Sequence, residues 1–230
     1  MRKLMIIPMV MAAVLSLGGL SKATYEGQPL EFSSLYAKLP LDNNRLLGSF
    51  IILPESGFDE KDASDVIKRL DHLPVSILKE IVNQHIKLVL FQGKLTDQGS
   101  ASHLKGIIPR GHPASSVWDE VPGIGGSKIV LVKIGSSDKG NGHGSINLEL
   151  HELVHSLQHY VYQQEGISTE FKAAWLKEAA KLFPDREYLL SYPEEYFAET
   201  FAYYYFSDET RELLRKMAPD TYRYFSRFEQ

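Results

Sequence analysis

The chain contains no cysteine. This excludes a disulfide framework and a lipid-attached N-terminal cysteine, so stability has to come from packing and from any bound ion. Basic residues are fewer than acidic ones, 25 against 29, which argues against nucleic acid as a partner. No internal repeat is visible, so the chain reads as one unit and not as an array. The glycine-rich stretch 138–144 lacks the G-K-[S/T] ending of a phosphate cradle and reads instead as a turn.

The N-terminus carries the first positive signal. Residues 1–23 have a basic start (Arg2, Lys3), an apolar run over 4–20, and small residues at Ser21 and Ala23. This reads as a secretory signal peptide, with a single uncleaved membrane anchor as the alternative. Cleavage would also remove Lys22, leaving 22 basic against 29 acidic residues and a net charge of −7. The expectation is a secreted, extracellular, acidic protein with no stable membrane association, of a kind that suits a bacterial secreted enzyme. The roughly 200 remaining residues are enough for one sizeable core.

Residues 24–47 are polar and lack sustained periodicity, so they read as a linker or loosely docked arm, with one two-lobed domain over 48–230. Within it, 49–53 reads as a short buried strand, 60–72 and 75–85 as amphipathic helices, and 86–91 as a second strand. Residues 93–126 are rich in Gly, Pro and Ser and predict a long surface loop carrying Trp118. Over 128–134 lysines alternate with apolar residues, which predicts a strand at the sheet edge. Beyond Gly166 the pattern is helical, over 168–183, 192–206, 209–217 and 219–228. The fold class is therefore α+β: a small mixed sheet with helices in an N-terminal lobe, and a mostly α-helical C-terminal lobe.

The chemistry centres on an H-E-x-x-H motif, His151-Glu152-Leu153-Val154-His155. Leu150, Leu153, Val154, Leu157 and Val161 recur with helical period, and Ser145 is the expected N-cap. Residues four apart on a helix lie roughly 5–6 Å from each other, so His151 and His155 can hold one Zn²⁺, with Glu152 beside it as general base. His159 is too far along the helix, about 12 Å from His151, and reads as packing or as support behind a ligand. The longer metzincin pattern also fails, because Gln158 replaces its glycine and Val161 its third histidine. The third ligand is expected from Ser191-Tyr192-Pro193-Glu194-Glu195-Tyr196-Phe197-Ala198-Glu199. Ser191 and Glu194 have capping-box spacing. Glu195 is assigned to the metal, and Glu199, one turn on, to the other ring N–H of a ligand histidine. The apolar neighbours predict burial, and buried carboxylates need partners. Tyr188, expected outside the helix, is a candidate oxyanion donor. Core packing is the alternative role, and Tyr192 is a rival donor.

Taken together, these residues resemble the Pro-Pro endopeptidases, small secreted bacterial zinc proteases related to the catalytic domain of anthrax toxin lethal factor. The shared segments are Gly93-Lys94-Leu95-Thr96-Asp97, Leu104-Lys105-Gly106 with Pro109, Trp118-Asp119 followed by Val121-Pro122-Gly123, Gly125-Gly126-Ser127, 146–152 with His155, and 192–205. The resemblance implies a zincin-like cleft between the lobes and one Zn²⁺ on His151, His155 and Glu195. It further implies Glu152 as general base, Tyr188 as the oxyanion-stabilising phenol, Trp118 on a loop over the cleft, and cleavage between two prolines in cell-surface proteins. The chain departs from the family at 112–117 and at Lys128, which bears on flanking residues and not on the chemistry.

Trp118, Gly126, Ser127 and Lys128 are the substrate-binding candidates, with the strand 128–134 donating N–H groups to substrate carbonyls. A proline-rich protein or peptide suits such a cleft, because it is extended before it binds. A monomer is expected. The rival readings are a lethal-factor-like zinc endopeptidase of another specificity and a non-catalytic surface-binding module; the intact Glu152 and Tyr188 argue against the latter.

Overall fold

The computed structural model describes residues 25–110, 116–162 and 167–229. The expected leader at 1–23 lies outside them, as do residues 112–115 of the divergent stretch. A five-stranded mixed sheet runs through the N-terminal half, built from β1 (Gln28–Pro29), β2 (Ile51–Leu53), β3 (Lys87–Phe91), β4 (Gly123–Ile124) and β5 (Ile129–Lys133) in the order β1-β2-β3-β5-β4. The central three strands are parallel, and the two-residue edges pair antiparallel. Helices α1 (Asn44–Phe50), α2 (Glu60–Asp71) and α3 (Val75–Asn83) belong to this lobe. The helices α4 (Leu148–Leu157), α5 (Thr169–Leu182), α6 (Glu187–Ser191), α7 (Pro193–Phe206), α8 (Asp208–Met217) and α9 (Pro219–Ser226) make up the other half. This is the expected α+β architecture.

Side-chain alternation splits the central strands between two apolar clusters. Leu88, Leu90, Val130 and Val132 join the main core with the helices. Val89, Phe91 and Leu131 face the other way, onto Leu95, Ala101 and Trp118. The long segment expected as a surface loop therefore covers one face of the sheet. Strand β5 is not the edge either, because β4 pairs with its outer side. Its lysines flank a fully apolar centre, and a strand buried on both faces reads as a run of Val and Leu instead of an alternation.

Of residues 24–47, expected as a linker or loose arm, the described part, 25–47, is docked. Leu30, Leu35 and Leu47 are buried in the main core, and the Asp71 carboxylate accepts from the backbone N–H groups of Asp42 and Asn43 at 2.8 Å each, just before α1. Short 3₁₀ turns at Leu30–Phe32 and Tyr36–Lys38 break the periodicity that would have revealed this docking. In the C-terminal half, α7 is buried along most of its length, and Phe197 meets Phe171 and Phe225 edge-on at 4.8 and 5.1 Å. The fully buried Glu178 carboxylate caps α9, accepting from the N–H groups of Asp220 and Thr221 and from the Thr221 hydroxyl. Among the described residues, no helix is long and apolar enough to cross a membrane.

The two halves meet on α4. From α2, Arg69 forms an ion pair with the fully buried Glu149. From the sheet, β4 lies directly on the helix, and a Cβ at Gly125 would stand 1.9 Å from the carbonyl oxygen of Glu152. Ser156 secures the contact by accepting from the Gly126 N–H at 3.0 Å and donating to the Ser127 carbonyl at 2.7 Å. Gly125→Ala must push β4 off the helix, at an overpacking cost of about 1–3 kcal/mol. In a thermal melt this variant should lose roughly 2–12 °C, and peptidase assays should show activity falling with it.

Candidate active site

Helix α4 begins at Leu148, directly after Asn147, whose side chain caps it by accepting from the Leu150 N–H at 3.0 Å. Ser145, the expected cap, instead donates to Glu199 Oε2 at 2.7 Å, with the Asn147 carbonyl oxygen 3.1 Å from the same hydroxyl. The helix turns Leu150, Leu153, Val154 and Leu157 into the core. Its other face presents His151, Glu152 and His155 to a cleft of about 730 Å³ between the two halves. Helix α7 forms the facing wall and brings in Glu195.

His151, His155 and Glu195 converge as a group able to hold a metal ion. Their Nε2 atoms are 3.3 Å apart, and Glu195 Oε2 lies 3.4 Å from His151 Nε2 and 3.6 Å from His155 Nε2. Zinc bonds of 2.0–2.1 Å in tetrahedral array put neighbouring ligand atoms roughly 3.3–3.4 Å apart. The triangle therefore has the size that zinc requires, and two imidazoles with one carboxylate is a donor set that zinc takes in catalytic sites. Glu199 is fully buried behind it, with Oε2 3.3 Å from His151 Nδ1 and Oε1 accepting from the Ile146 N–H at 3.1 Å.

The Tyr188 hydroxyl donates to Glu195 Oε1 at 3.0 Å. It lies outside the Glu195 helix, as expected, on the short α6, and burial followed by the nearby Glu195 charge pushes its phenol up to about 12. The expected capping box is absent: Ser191 ends α6, Tyr192 occupies the cap position of α7, and its side chain makes no capping bond. Glu194 is used differently, in an ion pair with Arg110 at 3.0 Å.

Trp118 lines the cleft while resting on the second apolar cluster, and its backbone N–H donates to the Ile107 carbonyl at 2.9 Å. Gly126 also lines the cleft, but Ser127 and Lys128 do not. The Ser127 hydroxyl donates to the Ile129 carbonyl at 2.7 Å, and the Lys128 ammonium sits 3.6 Å from the centre of the Tyr160 ring. They turn away because the free side of the sheet belongs to β4 and not to β5. His159 stands exposed at the cleft, in a π-helical turn (Gln158–Tyr162) that continues α4, and it does not join the triad.

Three cleft residues escaped sequence reasoning. Arg110 reaches Glu194 and Glu195 and lies over the Tyr192 ring at 4.2 Å. His143 donates from Nε2 to the Ser136 carbonyl at 2.7 Å. Arg186 approaches Glu199 to 4.0 Å. The adjacent acids Glu194 and Glu195 were the available signal for Arg110, since a pair of like charges on a buried helix calls for a cation; the other two depend on loop geometry that leaves no spacing pattern.

Without a metal, His151 is a proton trap. Burial opposes its charge, but contacts with Glu195 and Glu199 outweigh that and raise it to about 10. Glu195 is correspondingly held far below the carboxylate range, against its burial, by the two histidines. The His151 proton stabilises the metal-free fold fully below the unfolded value near 6.5, and that contribution is lost as pH rises through about 10. A cation entering the site has to displace the proton. Calorimetry in buffers of different ionisation enthalpy should show proton release on Zn²⁺ binding, with apparent affinity rising across this window; a pH-independent affinity would contradict the geometry.

Known proteins resemble this chain over most of its length. Residues 39–228 match the family described as "Anthrax toxin lethal factor, N- and C-terminal domain". A Pro-Pro endopeptidase of Clostridioides difficile (strain 630) is 39% identical over 183 residues, 79% of this chain and 82% of that protein. A Pro-Pro endopeptidase of Paenibacillus alvei is 36% identical over 183 residues, 79% of this chain and 84% of that protein. The solved structure of the Pro-Pro endopeptidase from Paenibacillus alvei is similar with a TM-score of 0.75 at 36% identity, covering 79% of this chain and 98% of that one. This chain belongs to the Pro-Pro endopeptidase family.

Proposed function

We propose that the chain is a secreted, zinc-dependent endopeptidase that hydrolyses Pro-Pro bonds in proline-rich surface proteins. The observation that carries this reading is the His151, His155 and Glu195 triangle, of zinc-ligand size, with Glu152 and Tyr188 at the same cleft. Its specificity is supported by the named activity of the relatives, and its secretion by the leader-like residues 1–23.

His151, His155 and Glu195 would hold the ion, and Glu199 keeps the His151 ring in place through Nδ1. When bound there, zinc supplies Lewis-acid chemistry. Glu152 takes a proton from the attacking water and passes it to the leaving prolyl nitrogen. Tyr188 turns its hydroxyl from Glu195 Oε1 to the oxygen of the tetrahedral intermediate, a bond made mainly in the transition state.

The substrate docks along the free edge of β4, where Gly123, Gly125 and Gly126 keep the floor low. Proline has no N–H to give, so the edge serves substrate carbonyls only. Pro109, Pro122 and Trp118 supply the apolar walls. A lethal-factor-like protease with another cleavage rule is the second reading, supported by the match of residues 39–228 to the lethal factor family.

The chemistry and the specificity are tested separately. Glu152→Ala should keep zinc and fold yet lose nearly all turnover, and Tyr188→Phe should lower kcat about 10²–10³-fold with KM little changed. Steady-state kinetics with metal analysis of both variants decides this, and near wild-type turnover by Glu152→Ala rejects the mechanism.

For specificity, wild-type protein is offered peptides centred on Pro-Pro and their single alanine replacements. Only the Pro-Pro form should be cleaved efficiently, and Trp118→Ala should reduce kcat/KM on it while zinc content stays unchanged. Efficient cleavage of both alanine peptides would move the reading to the second alternative.

A further inference from the structure

We propose that Arg110 is a positioning residue that takes over Glu195 Oε1 when Tyr188 leaves it, so that Glu195 continues to face the metal through Oε2 alone. The inference rests on the zinc-peptidase reading above.

The two oxygens of Glu195 have different surroundings. Oε2 faces both histidines. Oε1 accepts from the Tyr188 hydroxyl at 3.0 Å and from an Arg110 terminal nitrogen at 3.4 Å. Tyr188 cannot serve Oε1 and an oxyanion with one proton. At the moment of reaction Oε1 loses its nearer donor, in a side chain only 13% exposed. An unpaired carboxylate oxygen there is costly, and carboxylates bind cations through one oxygen or two. Unless another donor holds it, Oε1 turns toward the ion and crowds the reacting atoms.

Arg110 is placed to prevent that. Its guanidinium is held by the Glu194 carboxylate at 3.0 Å, by the Tyr192 ring beneath it at 4.2 Å and, further off, by the Tyr188 ring at 5.9 Å. The nitrogen that meets Glu194 is the one that meets Glu195, so a small shift strengthens the second bond without breaking the first. A planar fork suits two adjacent carboxylates; a lysine ammonium is a single point charge. The simpler role, a surface ion pair with Glu194, is worth about 0–1 kcal/mol for groups this exposed, so removing Arg110 should leave folding nearly untouched.

The test uses Arg110→Met, Arg110→Lys, Tyr188→Phe and the Arg110→Met/Tyr188→Phe double variant, each loaded with zinc for kinetics and with cobalt(II) for visible absorption. Arg110→Met is expected to keep its melting temperature, metal content and KM, and to lose kcat about 10–100-fold, with Arg110→Lys in between. In cobalt spectra each single variant still has one donor on Oε1 and should match wild type. The double variant has none, and its absorption should weaken as the site goes from four to five ligands.

Unchanged kcat in Arg110→Met, or a double-variant spectrum equal to wild type, overturns the proposal. If Tyr188→Phe also keeps full kcat, the oxyanion assignment falls with it; if Tyr188→Phe is crippled and Arg110→Met is not, only the role of Arg110 falls. A purely structural Arg110 would lower the melting temperature and leave the cobalt spectra alike, which also counts against the proposal.

Discussion

The buried charge of Glu199 is the constraint from which the site geometry follows. Its side chain has no exposure, and an unpartnered carboxylate there would be prohibitively unstable. The partners come from separate segments: Ser145 and Ile146 from the turn before α4, His151 from α4 itself, and Arg186 at longer range from the start of α6. Satisfying Glu199 therefore fixes how α7 lies against α4. Because Glu195 is one turn earlier on α7, the same packing delivers it to the opposite nitrogen of His151. The imidazole is bracketed between two carboxylates, one at each ring nitrogen, and His155 follows one turn along α4.

The sheet is tied to the same helix by contacts that leave little freedom. At Gly125 the backbone of the β4 segment touches the backbone of Glu152 with no room for a side chain. Arg69 and Glu149 add an ion pair from the other side of α4. Breaking a buried pair by removing one partner costs about 3–5 kcal/mol, though such pairs do not stabilise more than apolar packing would. What the pair contributes is register, since a slide of α4 along its axis would separate Glu149 from Arg69. The floor of the cleft, Glu152 and the histidines are thus referenced to one rigid element, the arrangement that holds functional groups to a fraction of an ångström.

How much of this was legible in the sequence follows from how local each feature is. The pairs His151/His155 and Glu195/Glu199 rest on spacings of four residues within single helices, and local periodicity shows in the residues themselves. The same holds for α2, α3 and the C-terminal helices. What was not legible depends on pairing across the chain. The edge position was assigned to β5 because Lys128 and Lys133 suggested an exposed face, and only the two-residue β4, too short for any pattern, reveals the true edge. Ser145 had the composition of a cap but Asn147 had the geometry, and the difference lies in Glu199, 54 residues away, which claims the serine hydroxyl. Tyr188 sits on a five-residue helix that periodicity cannot resolve. The docked residues 25–47 bury leucines at irregular spacing, which reads as loop until the core they fill is known.

On the proposed reading, the shortness of β4 also bears on the choice of a proline-rich substrate. Two residues of free edge, extended by Gly125 and Gly126, pair with only a few substrate groups, so an ordinary peptide lying there would carry N–H groups into a half-enclosed cleft without acceptors. Each such group costs about 1–3 kcal/mol. Proline brings no N–H, and its polyproline II form is already extended and loses little entropy on binding. A full-length edge would remove this discrimination by satisfying any backbone equally well. On the proposed reading, then, selectivity begins with how few hydrogen bonds the floor offers, and the apolar walls at Trp118, Pro109 and Pro122 refine it.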